Sequence, residues 1–357
     1  MSSPLNVMTV VGARPQFVKA AVVSRALAEA GIAEKMVHTG QHYDANMSSI
    51  FFEELGLPPV SLSLGIGGGS HGQNTGRMIE ALETAMLDLK PDLVLVYGDT
   101  DSTLAGAIAA SKLGVSIAHV EAGLRSYNKA MPEEINRIVT DHVSQLLFCT
   151  SAASCRILQG EGIAPAQIHN VGDVMFDVVK QFSEVARKRS TIMEKTGLEP
   201  GSFSLLTFHR KENTDDKGRL QSILEGIGRI VGKVLFPVHP RTQARMKAAG
   251  LSVPANVIEI EPVGYFDMQL LESNARLIIT DSGGVQKEAY YHGVPCVILR
   301  EETEWTELLD TKASILAGAS ADKIAEAADD GLNSRISNHN IYGDGNASQR
   351  IARIIQN

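Results

Sequence analysis

The chain has 357 residues, 44% of them hydrophobic, and a formal net charge of −8. That length predicts two domains, each large enough to bury its own core. The acidic balance excludes a general nucleic-acid binder, which needs a basic face, but allows one small anion held by local arginines and backbone N–H groups. The three cysteines, Cys149, Cys155 and Cys296, show no CxxC spacing and fit a reducing cytosol without a disulfide framework. The first apolar run, Val7 to Val11, is too short for a signal peptide or a membrane span. The expectation is a cytoplasmic protein with no membrane contact.

In chain order, short apolar runs alternate with longer helical patterns, which predicts βα units and parallel sheets. Strands are expected at Val7–Val11, Lys35–His38, Leu93–Tyr97, Ser116–Val120 and Leu146–Cys149. Helices are expected over Phe17–Ala30, Ala45–Leu55, Thr75–Leu89 and Ser102–Leu113. A boundary falls near Gln167–Gly172, giving domains 1–168 and 169–343 and a closing segment 344–357. Past it, Val174–Lys195 reads as one helix whose Arg187-Lys188-Arg189 run is a solvated face. A second series follows, with strands at Phe203–Thr207, Lys233–Val238, Val257–Ile260, Leu277–Thr280 and Cys296–Leu299. Arg219–Val231, Asp267–Ser273 and Val285–Tyr291 are its helices, and Ala347–Ile355 is the last. The predicted fold is α/β, with two doubly wound, Rossmann-like domains. Such sheets bind ligands beyond the carboxyl ends of their strands, so two facing domains would share a cleft.

The strand ends are polar and glycine-rich. They read Gly12-Ala13-Arg14-Pro15, Gly40-Gln41-His42, Gly98-Asp99-Thr100, Glu121-Ala122-Gly123, His209-Arg210-Lys211, His239-Pro240-Arg241 and Asp281-Ser282-Gly283-Gly284. One polar strand end means little; seven on the ligand side point to a site. Asp281-Ser282-Gly283-Gly284 closes a strand and opens a helix, where N–H groups attract anions. It is either a diphosphate turn or an ordinary tight βα turn. Glu288, one turn further, is either a partner for a ribose diol or a first-turn acid favoured by the helix dipole. His209 is either a cleft residue or a structural strand-end histidine.

Asp99, Glu121 and Glu133 stand out as carboxylates. If clustered they would raise one another's pKa, as proton transfer near neutral pH requires. Each is alternatively a cap or an ion-pair partner. Glu134 and Arg137, three apart, would make a plain surface pair. No GxGxxG follows the first strand, and GxxxxGK[ST], HExxH and GxSxG are missing, so no dinucleotide, P-loop, zinc or serine-nucleophile site is expected.

The motifs GARP, HTGQH, YGDT, HVEAGLR, MPEEINR, FHRKEN, PVHPRT and TDSGGVQKEA occur in one order over nearly the whole chain. Together they resemble the non-hydrolysing UDP-N-acetylglucosamine 2-epimerases. The resemblance implies a glycosyltransferase-B-like fold whose last helix returns to the first domain. It implies loss of the C2 proton with departure of UDP from C1, then re-addition of UDP to the acetamido-glycal with C2 protonated from the other face. UDP-GlcNAc and UDP-ManNAc would interconvert with no metal, nicotinamide or other cofactor.

By the same resemblance Asp99, Glu121 and Glu133 match the catalytic carboxylates, and His209 the histidine beside the diphosphate. Arg14, Lys19 and Arg137 match substrate-binding cations. Ser282, Gly283 and Gly284 match the phosphate turn, Glu288 the ribose clamp, and Met268 the position that reads uracil through its main chain. Gln41, His42, Gln73, Arg210 and His239 match a region where some members bind a second, activating UDP-sugar, although Gly72 stands where regulated members carry a basic residue. The segment Ser126–Met131 is shorter than in the commoner form. It resembles a subgroup acting on UDP-2,3-diacetamido-2,3-dideoxy-glucuronate, which is the alternative substrate. A UDP-sugar glycosyltransferase is the alternative reaction, and a homodimer is the expected assembly.

Overall fold

The computed structural model describes residues 5–41, 55–333, 336 and 340–357. The chain divides into two compact units, one formed by Met1–Val178 with Asn340–Asn357, the other by Val179–His339.

The first unit carries a seven-stranded sheet. Its strands are β1 (Asn6–Val11), β2 (Ala33–His38), β3 (Val60–Ser63), β4 (Leu93–Tyr97), β5 (Ser116–Ala122), β6 (Leu146–Cys149) and β7 (Ile168–Asn170). They pair in the order β3-β2-β1-β4-β5-β6-β7, and every pairing is parallel. The second unit carries β8 (Phe203–Thr207), β9 (Lys233–Pro237), β10 (Val257–Ile260), β11 (Leu277–Thr280), β12 (Cys296–Ile298) and β13 (Ser314–Leu316). Their order is β10-β9-β8-β11-β12-β13, again all parallel. In each sheet the strand order reverses once, between β1 and β4 and between β8 and β11. That switch point is where doubly wound sheets leave a crevice for ligands.

Alternation explains why both faces of the second sheet are dry. Leu206, Phe208, Phe236, Ile279 and Val297 enter one apolar cluster. Their neighbours Leu205, Leu235, Ile278, Cys296 and Ile298 enter another on the opposite face. Side chains with a period of two on a sheet covered by helices give continuous apolar runs. The same runs made these strands readable.

The edges depart from expectation. β3, β7 and β13 are three or four residues long, too short to register as apolar runs, and all of β3 is exposed. The single helix expected over Val174–Lys195 is two, Val174–Arg189 and Ile192–Thr196. Ser190 breaks it: its hydroxyl donates to Asp267 Oδ1 at 2.6 Å and accepts from the Ile192 N–H at 3.2 Å. A side chain that bonds the backbone two residues on offers it a turn in place of the next helical bond. Arg187, Lys188 and Arg189 are exposed in the last turn, where cations suit the helix dipole. Apart from Leu55, the helix expected over Ala45–Leu55 lies outside the described residues. The final helix, Ala347–Gln356, packs on the helix Arg14–Glu29 of the first unit. Its N-terminal N–H groups at Ala347 and Ser348 donate to the buried Asp177 carboxylate at 3.0 and 2.7 Å. No helix among the described residues is long and apolar enough to cross a membrane.

Candidate functional site

In the first unit the strand ends at the switch point hold a chain of paired charges. β5 continues to Ala122 rather than stopping at Val120, and its register slips between Val120 and Ala122, opposite β6. Glu121 sits on that irregularity with φ +74°. A bulge re-aims a side chain, and left-handed backbone at a non-glycine residue costs about 1–2 kcal/mol that the surroundings must supply. The re-aimed Glu121 carboxylate is buried and forms an ion pair with Lys19, also buried, from the helix Arg14–Glu29. Gly98, at φ +63°, closes the neighbouring strand. A Cβ there would lie 3.3 Å from Glu121 Oε2 and 3.4 Å from Lys19 Nζ, so a side chain would crowd the pair.

Asp99 follows, about one-third exposed, with Oδ2 2.6 Å from Arg137 Nη1. Arg137 is held from its other side by Glu134 Oε2, at 2.9 Å from Nε and 2.6 Å from Nη2. The expected surface pair is therefore a buried one, because helical spacing turns Glu134 and Arg137 inward together. Glu134 also accepts from the Ser126 and Tyr127 N–H groups at 2.9 and 2.8 Å, tying the short segment before Pro132 to Arg137 and so to Asp99. Burial alone would raise the Glu134 carboxyl; the Ser126 N–H and the Arg137 guanidinium more than offset this and hold it below the usual range. Glu133, one residue earlier, is exposed on the first helical turn. Asp99 and Glu121 each face a cation, Arg137 and Lys19 respectively.

Behind this row lies a support that sequence reasoning missed. Asp141 is fully buried; its Oδ1 is 2.7 Å from His119 Nδ1, and its Oδ2 accepts from Gly123 N at 3.1 Å and Arg125 Nη1 at 2.7 Å. His119 Nε2 reaches the Gly98 carbonyl at 2.7 Å. One carboxylate thus braces the backbone on both sides of Glu121 and below Asp99. The signal was available: Glu134, Arg137 and Asp141 share one helix face.

Of the remaining residues, Arg14 is half-buried at the start of its helix. Gln41 Oε1 accepts from Ser102 N and Oγ at 3.0 and 2.6 Å, linking two strand-end loops. Gln73 closes a capping box with Ser70, its Oε1 3.1 Å from Ser70 N, which gives it a local structural task. His42 lies outside the described residues.

In the second unit Asp281 is the organiser. Fully buried at the end of β11, it accepts from His209 N at 3.1 Å, Arg210 N at 2.9 Å and Asn213 Nδ2 at 3.0 Å. It thereby fixes the loop after β8 beside the turn after β11. The His209 ring is partly exposed, with Nδ1 3.7 Å from Asp281 Oδ1, and stacks on His239 with centroids 5.1 Å apart. His239 caps its own helix by accepting from Arg241 N at 3.1 Å. Ser282 occupies the cap position of the helix Gly283–His292, but its hydroxyl makes no capping bond. The first N–H groups of that helix are left without a side-chain cap, which suits an anion. A Cβ on Gly283 would fall 2.8 Å from Glu304 Oε1, so internal packing also demands this glycine, whereas a Cβ on Gly284 would meet only Ser282 Oγ, at an ordinary 3.9 Å. Glu304 pairs with Arg300 at 2.8 Å. Its burial would raise the carboxyl, but the Arg300 and Arg210 guanidiniums hold it below the usual range. The sequence reading passed over this pair, although Arg300 to Glu304 follow β12 as one more polar strand end.

Glu288 is buried in the helix Gly283–His292 and accepts from Gln269 Nε2 at 2.9 Å. Met268, on the helix Tyr265–Asn274, packs against the apolar cluster under β8 and β11.

Two Rossmann-like units, each with polar loops at its switch point, one rich in paired carboxylates and one offering an uncapped helix start, define a glycosyltransferase-B-like, nucleotide-sugar-handling α/β protein. The comparisons give the particular family. The family model for UDP-N-acetylglucosamine 2-epimerase matches residues 25–356, and the chain belongs to that family. A UDP-2,3-diacetamido-2,3-dideoxy-D-glucuronate 2-epimerase of Pseudomonas aeruginosa is 50% identical over 98% of this chain and 99% of its own. The crystal structure of Methanocaldococcus jannaschii UDP-GlcNAc 2-epimerase in complex with UDP-GlcNAc and UDP is 42% identical, covers 99% of both chains and superposes with a TM-score of 0.91. A lipopolysaccharide outer core galactosyltransferase, 13% identical with a TM-score of 0.53, shares the fold alone. The chain is an epimerase of the isomerase class.

Proposed function

We propose that this epimerase inverts C2 of UDP-2,3-diacetamido-2,3-dideoxy-glucuronate. The observation that carries the choice of sugar is the 50% identical relative of that name, against 42–45% for three archaeal relatives named as UDP-GlcNAc 2-epimerases or a homologue of them. The short Ser126–Met131 segment agrees with it, since Glu134 ties that segment to Arg137 and Asp99. Sequence reading had placed UDP-GlcNAc first; that sugar remains the second reading, favoured by the archaeal complex.

In this reading the first unit handles the protons and the second holds UDP. A carboxylate of the Asp99, Glu121, Glu133 set removes the C2 proton as the C1–O bond to UDP breaks, leaving the 1,2-enol-ether glycal. Re-formation of that bond returns UDP to C1 while C2 takes a proton on the opposite face. Lys19 and Arg137 orient Glu121 and Asp99. His209 and the uncapped N–H groups after Ser282 meet the charge that gathers on the departing diphosphate. Arg14 adds a cation for substrate, Glu288 takes the ribose diol, and the backbone near Met268 reads the base. The reading further places the enzyme in the cytoplasm, as a homodimer, serving surface-polysaccharide synthesis. The test is incubation with each UDP-sugar in deuterated water, followed by NMR. Turnover of the diacetamido uronate at kcat/KM at least tenfold above UDP-GlcNAc is expected; the reverse preference would assign the enzyme to UDP-GlcNAc.

A further inference from the structure

Between the helices Tyr265–Asn274 and Gly283–His292 runs a seam that should be apolar and is not. Gln269, Glu272 and Glu288 are buried, and the His292 ring is nearly so. A well-packed apolar seam would hold these helices at least as firmly, because buried charges lose their hydration. The bonds between the four side chains show what the polar seam does instead.

Gln269 is their hub. Its Oε1 is 3.1 Å from His292 Nε2, and its Nε2 donates to Glu288 Oε1 at 2.9 Å and to Glu272 Oε2 at 3.2 Å. An amide oxygen only accepts, so His292 presents its Nε2–H there. That bond fixes which way the amide faces: its oxygen toward the histidine, its two hydrogens toward the two carboxylates. Burial, and then Arg187, hold His292 down at about 4, so near neutral pH the ring is uncharged. Burial, and then the Glu288 charge, push the Glu272 carboxyl well above its usual range. Two carboxyls this close do not readily ionise together, and the Gln269 amide donates from its one Nε2 to an oxygen of each.

We propose that Gln269, oriented by His292 and Glu272, is a positioning residue that fixes the Glu288 carboxylate for the vicinal diol of the UDP ribose. The nucleoside selectivity of the unit would then depend on a side chain that acts only through Glu288. This inference rests on Glu288 being the ribose partner, and its test separates the two ideas. UDP and 2′,3′-dideoxy-UDP are titrated calorimetrically into the wild type, Gln269→Leu and Glu288→Ala. The wild type should prefer UDP. Gln269→Leu should cut that preference at least fivefold while leaving the affinity for 2′,3′-dideoxy-UDP within twofold, a split that general loosening of the unit would not give. If Glu288→Ala abolishes the preference and a folded Gln269→Leu keeps it, the positioning role is wrong and the ribose clamp stands. If Glu288→Ala keeps the preference, the ribose reading fails and this inference with it. Should Gln269→Leu not fold, His292→Leu, which frees the amide to turn, carries the same expectation at about twofold or more; an unchanged preference in that folded variant overturns the proposal.

Discussion

The left-handed Glu121 gives a quantitative handle on how the site is held. Its φ of +74° costs about 1–2 kcal/mol relative to an ordinary backbone. Glycine would recover that, less about 0.5–1 kcal/mol for the extra freedom it gives the unfolded chain. Glu121→Gly alone also takes the buried carboxylate from the Lys19 ammonium, which is only 8% exposed, and breaking a buried pair by removing one partner costs about 3–5 kcal/mol. The single variant should therefore be less stable by about 1.5–5 kcal/mol. Replacing both partners, Lys19→Met with Glu121→Gly, removes both buried charges and keeps the backbone relief. It should end at or up to about 3 kcal/mol above the wild type, since buried pairs are often neutral or better when exchanged for apolar groups. For a domain of this size each kcal/mol moves Tm by about 2–4 °C, which scanning calorimetry resolves. Both variants should lose epimerisation. A double variant melting well below the wild type would show that the bulge is not strained and that the pair stabilises the unit; retained turnover would remove Glu121 from the chemistry.

Three further outcomes are expected. His209→Asn should fold normally, bind UDP within roughly tenfold and lose about two to three orders of magnitude in kcat, as for the loss of one preorganised donor; near-normal turnover would take His209 out of the mechanism. Epimerisation in deuterated water should place deuterium at C2 of both epimers, whereas full retention of the original hydrogen would require an internal hydride route. His292 should make the second unit acid-sensitive: held neutral down to about 4 against an ordinary value near 6.5, it contributes fully above pH 6.5, and that contribution fades as pH falls toward 4 because the unfolded chain takes up a proton the folded one refuses. The contribution is about 3 kcal/mol, so denaturant titrations of His292→Leu should show that much less loss between pH 6.5 and 4; equal losses in both proteins would contradict it.

What the sequence revealed and what it hid follow from physics. β1, β4, β8 and β11 were legible because sheets covered on both faces demand unbroken apolar runs, and the polar loops after them were legible as a group. β3, β7 and β13 were not, because edge strands this short leave no periodicity to read. The inward turn of Glu134 was readable from its spacing to Arg137 and Asp141, yet the adjacent Glu133 drew attention by resemblance. Neither the slipped register at Glu121 nor its left-handed backbone leaves a trace in a sequence that reads Val120-Glu121-Ala122-Gly123. The Gln269 seam was hidden for another reason. Gln269 with Glu272 and Glu288 with His292 each look like ordinary helical polar pairs, and only tertiary packing buries them against one another.

The two units solve the same positioning problem in the same way. Each needs loop residues at a switch point held rigidly enough to act on a ligand, and loops carry few packing contacts of their own. In each, a fully buried aspartate supplies what packing does not. Asp141 grips Gly123 N, Arg125 and His119 around Glu121; Asp281 grips His209 N, Arg210 N and Asn213 beside the turn after β11. Bonds from N–H groups to an ionised acceptor are the stronger kind, roughly 1.5–3 kcal/mol each. A carboxylate accepting three of them offsets its own desolvation and fixes backbone atoms, not merely side chains. Part of the DSGG motif is thus architectural: the buried Asp281 holds the loop after β8, while the helix start after Ser282 has no side-chain cap.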